Sequence, residues 1–396
     1  MLTKLQRALL LAAVSLVGAG SAEAAITSLD YLSNTTFTTG TRYQNQVIAG
    51  LSGIDYNAAT NTFIAQRDNT ISGVSPVAFT LQAVPQAGGG YTMQFTGVNT
   101  LGGTNNGLTG LESIRYDPNG NGVWVTSEAP NAVYHIDSNG VRTQITLPAS
   151  VTGRTPAGAS NYGLEGMTFT PDGSLWVSRE NALQGDATNV IRLSQIGTDG
   201  ALLSQYAYQL DSVSAPNRPG SVIANPPGGG VGNNGVSEIL AVSDTSFLVL
   251  ERAWDGLSTT DGVSHNSIRI YQVDLAGATD VSGIQFLDGG TPYSALTKTL
   301  LFDSQSLAAV LGTYDTKIDN IEGMTFGPTL ADGRRSLTLV SDNNNSTGQR
   351  KTQFIVLGVN ETSAVPETAT WAMFIIGFGA VGGSMRRRTT TRVRFA

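Results

Sequence analysis

The segment Gly163-Leu164-Glu165-Gly166-Met167-Thr168-Phe169 returns almost letter for letter as Asn320-Ile321-Glu322-Gly323-Met324-Thr325-Phe326. A chain that repeats itself at such spacing is restricted to architectures assembled from copies of one unit. Weaker copies are Gly50-Leu51-Ser52-Gly53-Ile54-Asp55-Tyr56, Gly110-Leu111-Glu112-Ser113-Ile114-Arg115-Tyr116 and Gly235-Val236-Ser237-Glu238-Ile239-Leu240-Ala241. A turn and a second apolar strand follow each copy, at 63–69 (FIAQRDN), 124–128 (WVTSE), 176–181 (WVSREN), 247–252 (FLVLER) and 339–343 (LVSDN). Third strands follow at 189–196, 267–273 and 353–359. The 47 glycines and the frequent Asn-Gly and Asp-Gly pairs supply hairpin turns, because such turns need the positive backbone angles that glycine and asparagine tolerate. A unit of about 50–80 residues with three or four antiparallel strands is a propeller blade. Five starts are visible, and the interval from Glu238 to Glu322 has room for another. The expectation is an all-β fold, a β-propeller of six blades of four-stranded antiparallel sheets, with five or seven as alternatives.

The two ends do not belong to this repeat. Lys4 and Arg7 precede an apolar run over residues 8–17 and then Ala22-Glu23-Ala24, the A-x-A pattern that signal peptidase reads. The run is too short for a membrane span of about 20 apolar residues, so residues 1–24 are expected to be a removable secretion signal and 25–361 the propeller domain. At the other end, Val365-Pro366-Glu367-Thr368 leads into an apolar, Gly-rich hydrophobic helix over 371–385 and the basic tail 386–396, opened by Arg386-Arg387-Arg388. An aromatic residue, Trp371, a short span and a basic stop are the parts of a membrane segment with its positive end inside. Segment 362–396 resembles the PEP-CTERM sorting signal of bacterial exported proteins, with Thr368 where that family has a second proline. The resemblance implies transient membrane insertion, an exosortase-type processing protease as partner, and release from the cell envelope to the cell surface or the extracellular matrix.

An exported chain is free to form disulfides, yet this one has no cysteine, so its stability must come from a core, alone or helped by a metal. The net charge of the whole chain is −7. Removal of both ends takes away Lys4, Arg7, Arg386, Arg387, Arg388, Arg392 and Arg394 against Glu23 and Glu367, which leaves sixteen basic and twenty-eight acidic residues, a charge of −12. A surface that acidic argues against nucleic acid and for cations.

The acids recur with the repeat. An acid or Ser opens the first strand of each unit (Ser52, Glu112, Glu165, Glu238, Glu322), and another acid closes the second (Asp68, Glu128, Glu180, Glu251, Asp342). The strands of a hairpin are antiparallel, so both sets lie at one edge, and first strands line the channel of a propeller. Crowded carboxylates repel unless they are protonated or bound to a cation. Calcium, which takes six to eight oxygen ligands, is the expected cofactor, with Glu112, Glu165, Glu238 and Glu322 as its ligands. Capping of strand amides between blades is the alternative for any one of these glutamates. Zinc is not expected with no Cys and only His135 and His265. Arginine recurs beside the closing acid, as Arg67, Arg179 and Arg252. Where strand alternation turns these arginines into the site, their planar donors suit a phosphate or carboxylate; the alternative is inter-blade pairing.

The GLSGIDY start, the paired LEGMTF and IEGMTF segments, the WVSREN strand and the run 317–323 (KIDNIEG) together resemble the phytase-like family described as having esterase-like activity. The similarity covers nearly all of the mature chain, and it implies a β-propeller with phosphoester or ester hydrolase activity.

Two functions compete. In the first, a calcium-dependent hydrolase acts on a small-molecule phosphomonoester or related ester; Arg67, Arg179 or Arg252 holds the anionic group, and Glu180 or Asp342 is the general base. The scarcity of lysine argues against a substrate with many phosphates. In the second, a non-catalytic, calcium-stabilised surface or matrix propeller binds an exopolysaccharide. A lactonase is a third possibility. No G-x-S-x-G elbow and no P-loop is present, and the Pro/Gly-rich loop over 212–234 reads as an insertion, with a lid over the site as the alternative.

Overall fold

The computed structural model describes residues 25–68, 76–101, 108–153, 163–215, 221–223, 232–257, 265–307, 318–344 and 351–362. The expected secretion signal, the sorting segment from residue 363 onward and most of loop 212–234 lie outside the described residues. No helix among the described residues is long and apolar enough to cross a membrane. Residues Ser28–Asn360 make up one compact unit. The described residues outside it are 25–27 and 361–362, where the Thr362 amide donates to the Ala25 carbonyl at 2.9 Å.

Among the described residues, five four-stranded antiparallel sheets account for almost all of the regular structure. The first blade runs Leu51–Asn57, Thr62–Arg67, Val77–Pro85 and Tyr91–Thr100. The second runs Leu111–Tyr116, Val123–Glu128, Asn131–Ile136 and Arg142–Ile145. The third is Leu164–Phe169, Leu175–Arg179, Val190–Ile196 and Leu202–Gln209. The fourth is Asn233–Ala241, Ser246–Trp254, Asn266–Asp274 and Thr297–Asp303. The fifth combines Ile321–Phe326, Ser336–Ser341 and Lys351–Glu361 with Ile26–Thr38 as its outermost strand. The first strands of neighbouring blades touch in a closed cycle, so they form the inner ring of a propeller.

The blade number corrects the expected six to five. Within the interval between Glu238 and Glu322 a strandless stretch, residues 275–296, precedes the fourth strand of blade four. That stretch lies on the third blade: the Val281 amide donates to the Gln205 carbonyl at 2.7 Å and Leu296 to Ala207 at 2.8 Å. Val281 and Leu287 are fully buried there. Spacing alone does not separate a covering loop of this kind from a sheet.

Both faces of each blade are covered by neighbours, which explains strands such as Ser246–Trp254 (SFLVLERAW), apolar at successive positions instead of alternating. Ile54, Phe63 and Phe79 pack with Val340, Phe354 and Val356 across the seam between blades one and five. Trp124 and Val133 pack with Leu164, Met167 and Val177 between blades two and three. Trp176, Ile191 and Tyr208 pack with Val236, Phe247 and Val249 between blades three and four. Polar ties add to the first seam, where the Tyr91 hydroxyl bonds Thr338 Oγ1 at 2.6 Å and Ser336 Oγ at 3.0 Å.

The glycine of the repeat has a packing reason. A Cβ on Gly166 would lie 2.6 Å from the Ile239 amide nitrogen, and one on Gly323 would lie 2.7 Å from the Ser52 carbonyl oxygen. Inner strands approach one another so closely here that no side chain fits on these faces. Gly166→Ala is expected to destabilise the protein by about 1–3 kcal/mol through overpacking, read from the midpoint of urea unfolding; an unchanged midpoint would show that the inner strands can separate.

Candidate metal centre at the channel mouth

Every inner strand is irregular at the same place. Pairing with the second strand breaks between Leu51 and Gly53, Leu111 and Ile114, Leu164 and Met167, Val236 and Glu238, and Ile321 and Gly323. A bulge re-aims the side chain it carries. The five bulges carry Ser52, Glu112, Glu165, Ser237 and Glu322, so the acid of the fourth inner strand, Glu238, sits one position later, level with Gly166. The closing positions shift in the same way. Leu51 pairs with Arg67, Leu111 with Ser127, Leu164 with Arg179, Val236 with Glu251 and Ile321 with Ser341. The residues just beyond are Asp68, Glu128, Glu180, Arg252 and Asp342. Blade four therefore contributes a serine and an arginine to the ring where the repeat leads one to expect two acids.

Seven carboxylates remain on the ring, Asp68, Glu112, Glu128, Glu165, Glu180, Glu322 and Asp342, and they act electrostatically on one another. Glu112, Glu128 and Glu165 each offer an oxygen within 4.8 Å of the other two. Two ligands of one calcium ion, each about 2.3–2.6 Å from it, are at most roughly 5 Å apart, so this spacing fits. Glu128 Oε2 is buried with no hydrogen-bond partner. Burial, followed by the Glu128 charge for Glu112 and the Glu112 charge for Glu165, pushes both carboxyls well above the usual carboxylate range. Glu128 is pushed up to about 8 by burial and by Glu180 and Glu322, with the Gly163 amide opposing. Glu322 is pushed up to about 7 by burial, against the pull of Arg252. Asp342 lies well above its usual value through burial and through Glu322 and Asp68. Burial likewise raises Glu180, although Arg252, Asn233 and Arg179 oppose it. Such a set of hard oxygen donors without cysteine or histidine suits calcium.

The three arginines of the repeat differ in placement. Arg252 is on the ring and donates to Asn320 Oδ1 and to Glu180 Oε1, both at 2.8 Å, with Glu322 at 3.8 Å. Burial works against its charge, but Glu180, Glu322, Glu165 and Glu112 outweigh burial and hold it above the usual arginine value. Arg67 and Arg179 occupy the alternate register position. Arg67 bonds the Val47 carbonyl and Gln46 Oε1, both at 3.4 Å, and burial lowers its pKa. Arg179 is 2 % exposed, and burial lowers it to about 10 while the Glu165 and Glu180 charges oppose.

Two acids of the repeat stand apart from the ring. Glu251 accepts from the Tyr208 hydroxyl at 2.5 Å and from Lys298 at 3.0 Å. Glu238 lies inside the channel and pairs with Arg115 at 2.9 Å. Arg115 was not singled out by the repeat, although it is the one arginine that follows an inner-strand opening, three residues after Glu112. The histidines have structural partners: His135 contacts Asp117 at 2.8 Å and His265 contacts Asp255 at 3.1 Å.

The family model described as "Phytase-like: Esterase-like activity of phytase" matches residues 46–345, which takes in the whole ring. The chain belongs to the phytase-like family. No curated protein matches this phytase-like chain. Among solved structures it is similar to an endo-arabinase from Bacteroides thetaiotaomicron, at 12% identity, TM-score 0.42, 81% of this chain and 97% of that one. It is also similar to a glycosyl hydrolase from Bacteroides ovatus, at 12% identity, TM-score 0.35, 85% of this chain and 88% of the other. At these values neither likeness bears on the activity of the phytase-like protein.

Proposed function

We propose that the channel mouth holds calcium and that the protein is an exported ester hydrolase acting on a phosphomonoester or related small ester. The observation that carries this reading is the ring of seven carboxylates, six of them buried and Glu128 half-buried, with Arg252 at the one ring position that carries a base, three of the acids lying within cation-sharing distance. Glu112, Glu128 and Glu165 would hold the ion, which supplies the positive charge that offsets the acids and polarises an ester oxygen. Arg252, the ring's own cation, orients an anionic substrate group through its planar donors. Glu180 is committed to Arg252 and Asn233, which leaves Asp342, held above its usual pKa, to accept the proton of the attacking water. Export through the N-terminal signal, release by an exosortase-type protease and a final place at the cell surface or in the matrix supply the calcium-rich surroundings this site requires.

A non-catalytic matrix propeller that binds exopolysaccharide is the second reading. It is favoured by the origin of the three close acids on two different blades, so that a cation among them would staple the ring. The two separate in assays of the purified protein against p-nitrophenyl phosphate, short-chain esters and lactones, with calcium and with chelator. Turnover of a phosphate or carboxylic ester is expected with calcium, and Glu112→Gln/Glu165→Gln is expected to lower it at least about 100-fold. Calcium binding without turnover of any substrate would support the matrix reading, and turnover of lactones alone would make the protein a lactonase.

A further inference from the structure

We propose that the buried pair Arg115–Glu238, with Thr126, is the positioning device that sets the separation of Glu112 and Glu165 and thereby the cation affinity of the mouth; this rests on the metal reading above. In three inner strands the bulge leaves one residue outside the ladder, whereas the second and third blades leave two, Glu112-Ser113 and Glu165-Gly166. The backbones that carry the two glutamates therefore lack the usual support of a neighbouring strand, and they find it across the channel. Glu238 occupies the position where blades one, three and five carry glycine, and its carboxylate crosses the axis. It accepts from Ser113 Oγ at 3.0 Å, next to Glu112, and from the Met167 amide at 3.1 Å, two residues beyond Glu165. Its own strand holds it through the Ile239 amide at 3.0 Å.

Arg115 fixes that carboxylate in turn. Its Nη2 meets Glu238 Oε2 at 2.9 Å. The guanidinium also donates to the carbonyls of Ile54 at 2.7 Å, Ile114 at 3.0 Å, Ile239 at 3.1 Å and Met324 at 3.2 Å. All five inner strands thus meet at one ion pair. A second tie joins the same two bulges: the Ser113 amide donates to Thr126 Oγ1 at 2.8 Å, and Thr126 Oγ1 donates to the Glu165 carbonyl at 2.6 Å. Calcium tolerates variable geometry, but its ligands must still converge to within a few tenths of an ångström, so backbone supports that hold two ligands on different blades bear directly on affinity.

The test uses Arg115→Met/Glu238→Met, which removes both charges, and the milder Thr126→Val and Glu238→Gln. Calcium affinity is measured by titration calorimetry, and melting is followed in chelator. The expected result is a calcium Kd at least about 10-fold weaker in the double variant and about 3-fold weaker in Thr126→Val, while Glu238→Gln, which keeps an acceptor for Met167, changes least. A wild-type Kd in the double variant and in Thr126→Val, with only the melting temperature displaced, overturns the positioning role. If the double variant does not fold, Thr126→Val decides on the same criterion. If the wild-type protein takes up no calcium, the metal reading fails, and amide exchange decides on the pinning alone. In that case the Met167 and Ile239 amides must exchange at least about 10-fold faster in Glu238→Met relative to Val340; equal rates overturn it.

Discussion

Arg115→Met is expected to lower the unfolding free energy by about 3–5 kcal/mol, because it strands the fully buried Glu238 carboxylate without its counter-charge. Even with Arg115 present, burial outweighs the arginine and three hydrogen-bond donors and pushes Glu238 up to about 7. Loss of the guanidinium also leaves the carbonyls of Ile54, Ile239 and Met324 without their donor. Replacing both partners, as Arg115→Met/Glu238→Met, is expected to recover most of the loss, since two apolar chains of similar length demand no solvation. Urea unfolding of the two single variants and the double variant measures this as a cycle. Equal destabilisation by the double variant and by the sum of the singles would show that the pair does not act as a unit.

In calcium-free buffer the melting temperature is expected to fall as the pH rises from 5 to 8, and saturating calcium is expected to remove most of that slope. Burial and mutual repulsion hold Glu128 at about 8 and Glu322 at about 7, with Glu112, Glu165 and Asp342 also raised. An acid whose folded pKa lies above its unfolded value, about 4.5 for glutamate, binds more protons in the folded state between those two values. Its contribution is complete below the unfolded pKa and is lost as the pH climbs through the folded pKa. The window is therefore about pH 4.5–8, opposite in direction to the acid unfolding of proteins whose carboxylates are salt-bridged. Calcium replaces the protons as the neutralising charge and is expected to add about 2.7 kcal/mol at a concentration 100-fold above its Kd. Thermal melts at pH 5, 6.5 and 8, with chelator and with calcium, check both halves. A flat chelator series would mean that the carboxylates are already compensated, and melts insensitive to calcium at pH 8 would remove the ion from the mouth.

Much of the propeller was legible because its units are copies. The LEGMTF and IEGMTF segments lie on inner strands of blades three and five, and the residues that close the second strands gather at the same end of the ring. The blade number was less legible, since residues 275–296 cover the third blade without forming a sheet. The closing strand Ile26–Thr38 lies outside the repeat altogether and joins blade five only because the ring must close.

The sequence by itself determined that acids return with each unit and that they share one face, because antiparallel hairpins bring strand openings and endings to one edge. Only the tertiary structure decided which acids belong to the ring. Blade four keeps the apolar pattern of the repeat but carries its two acids one position out of step, at Glu238 and Glu251, and places Ser237 and Arg252 in the ring instead. A strand has a side-chain period of two, so a single step exchanges faces. The bulge that fixes this register is set by contacts between inner strands far apart in the chain, and it turns Glu238 from an expected ligand into the partner of Arg115.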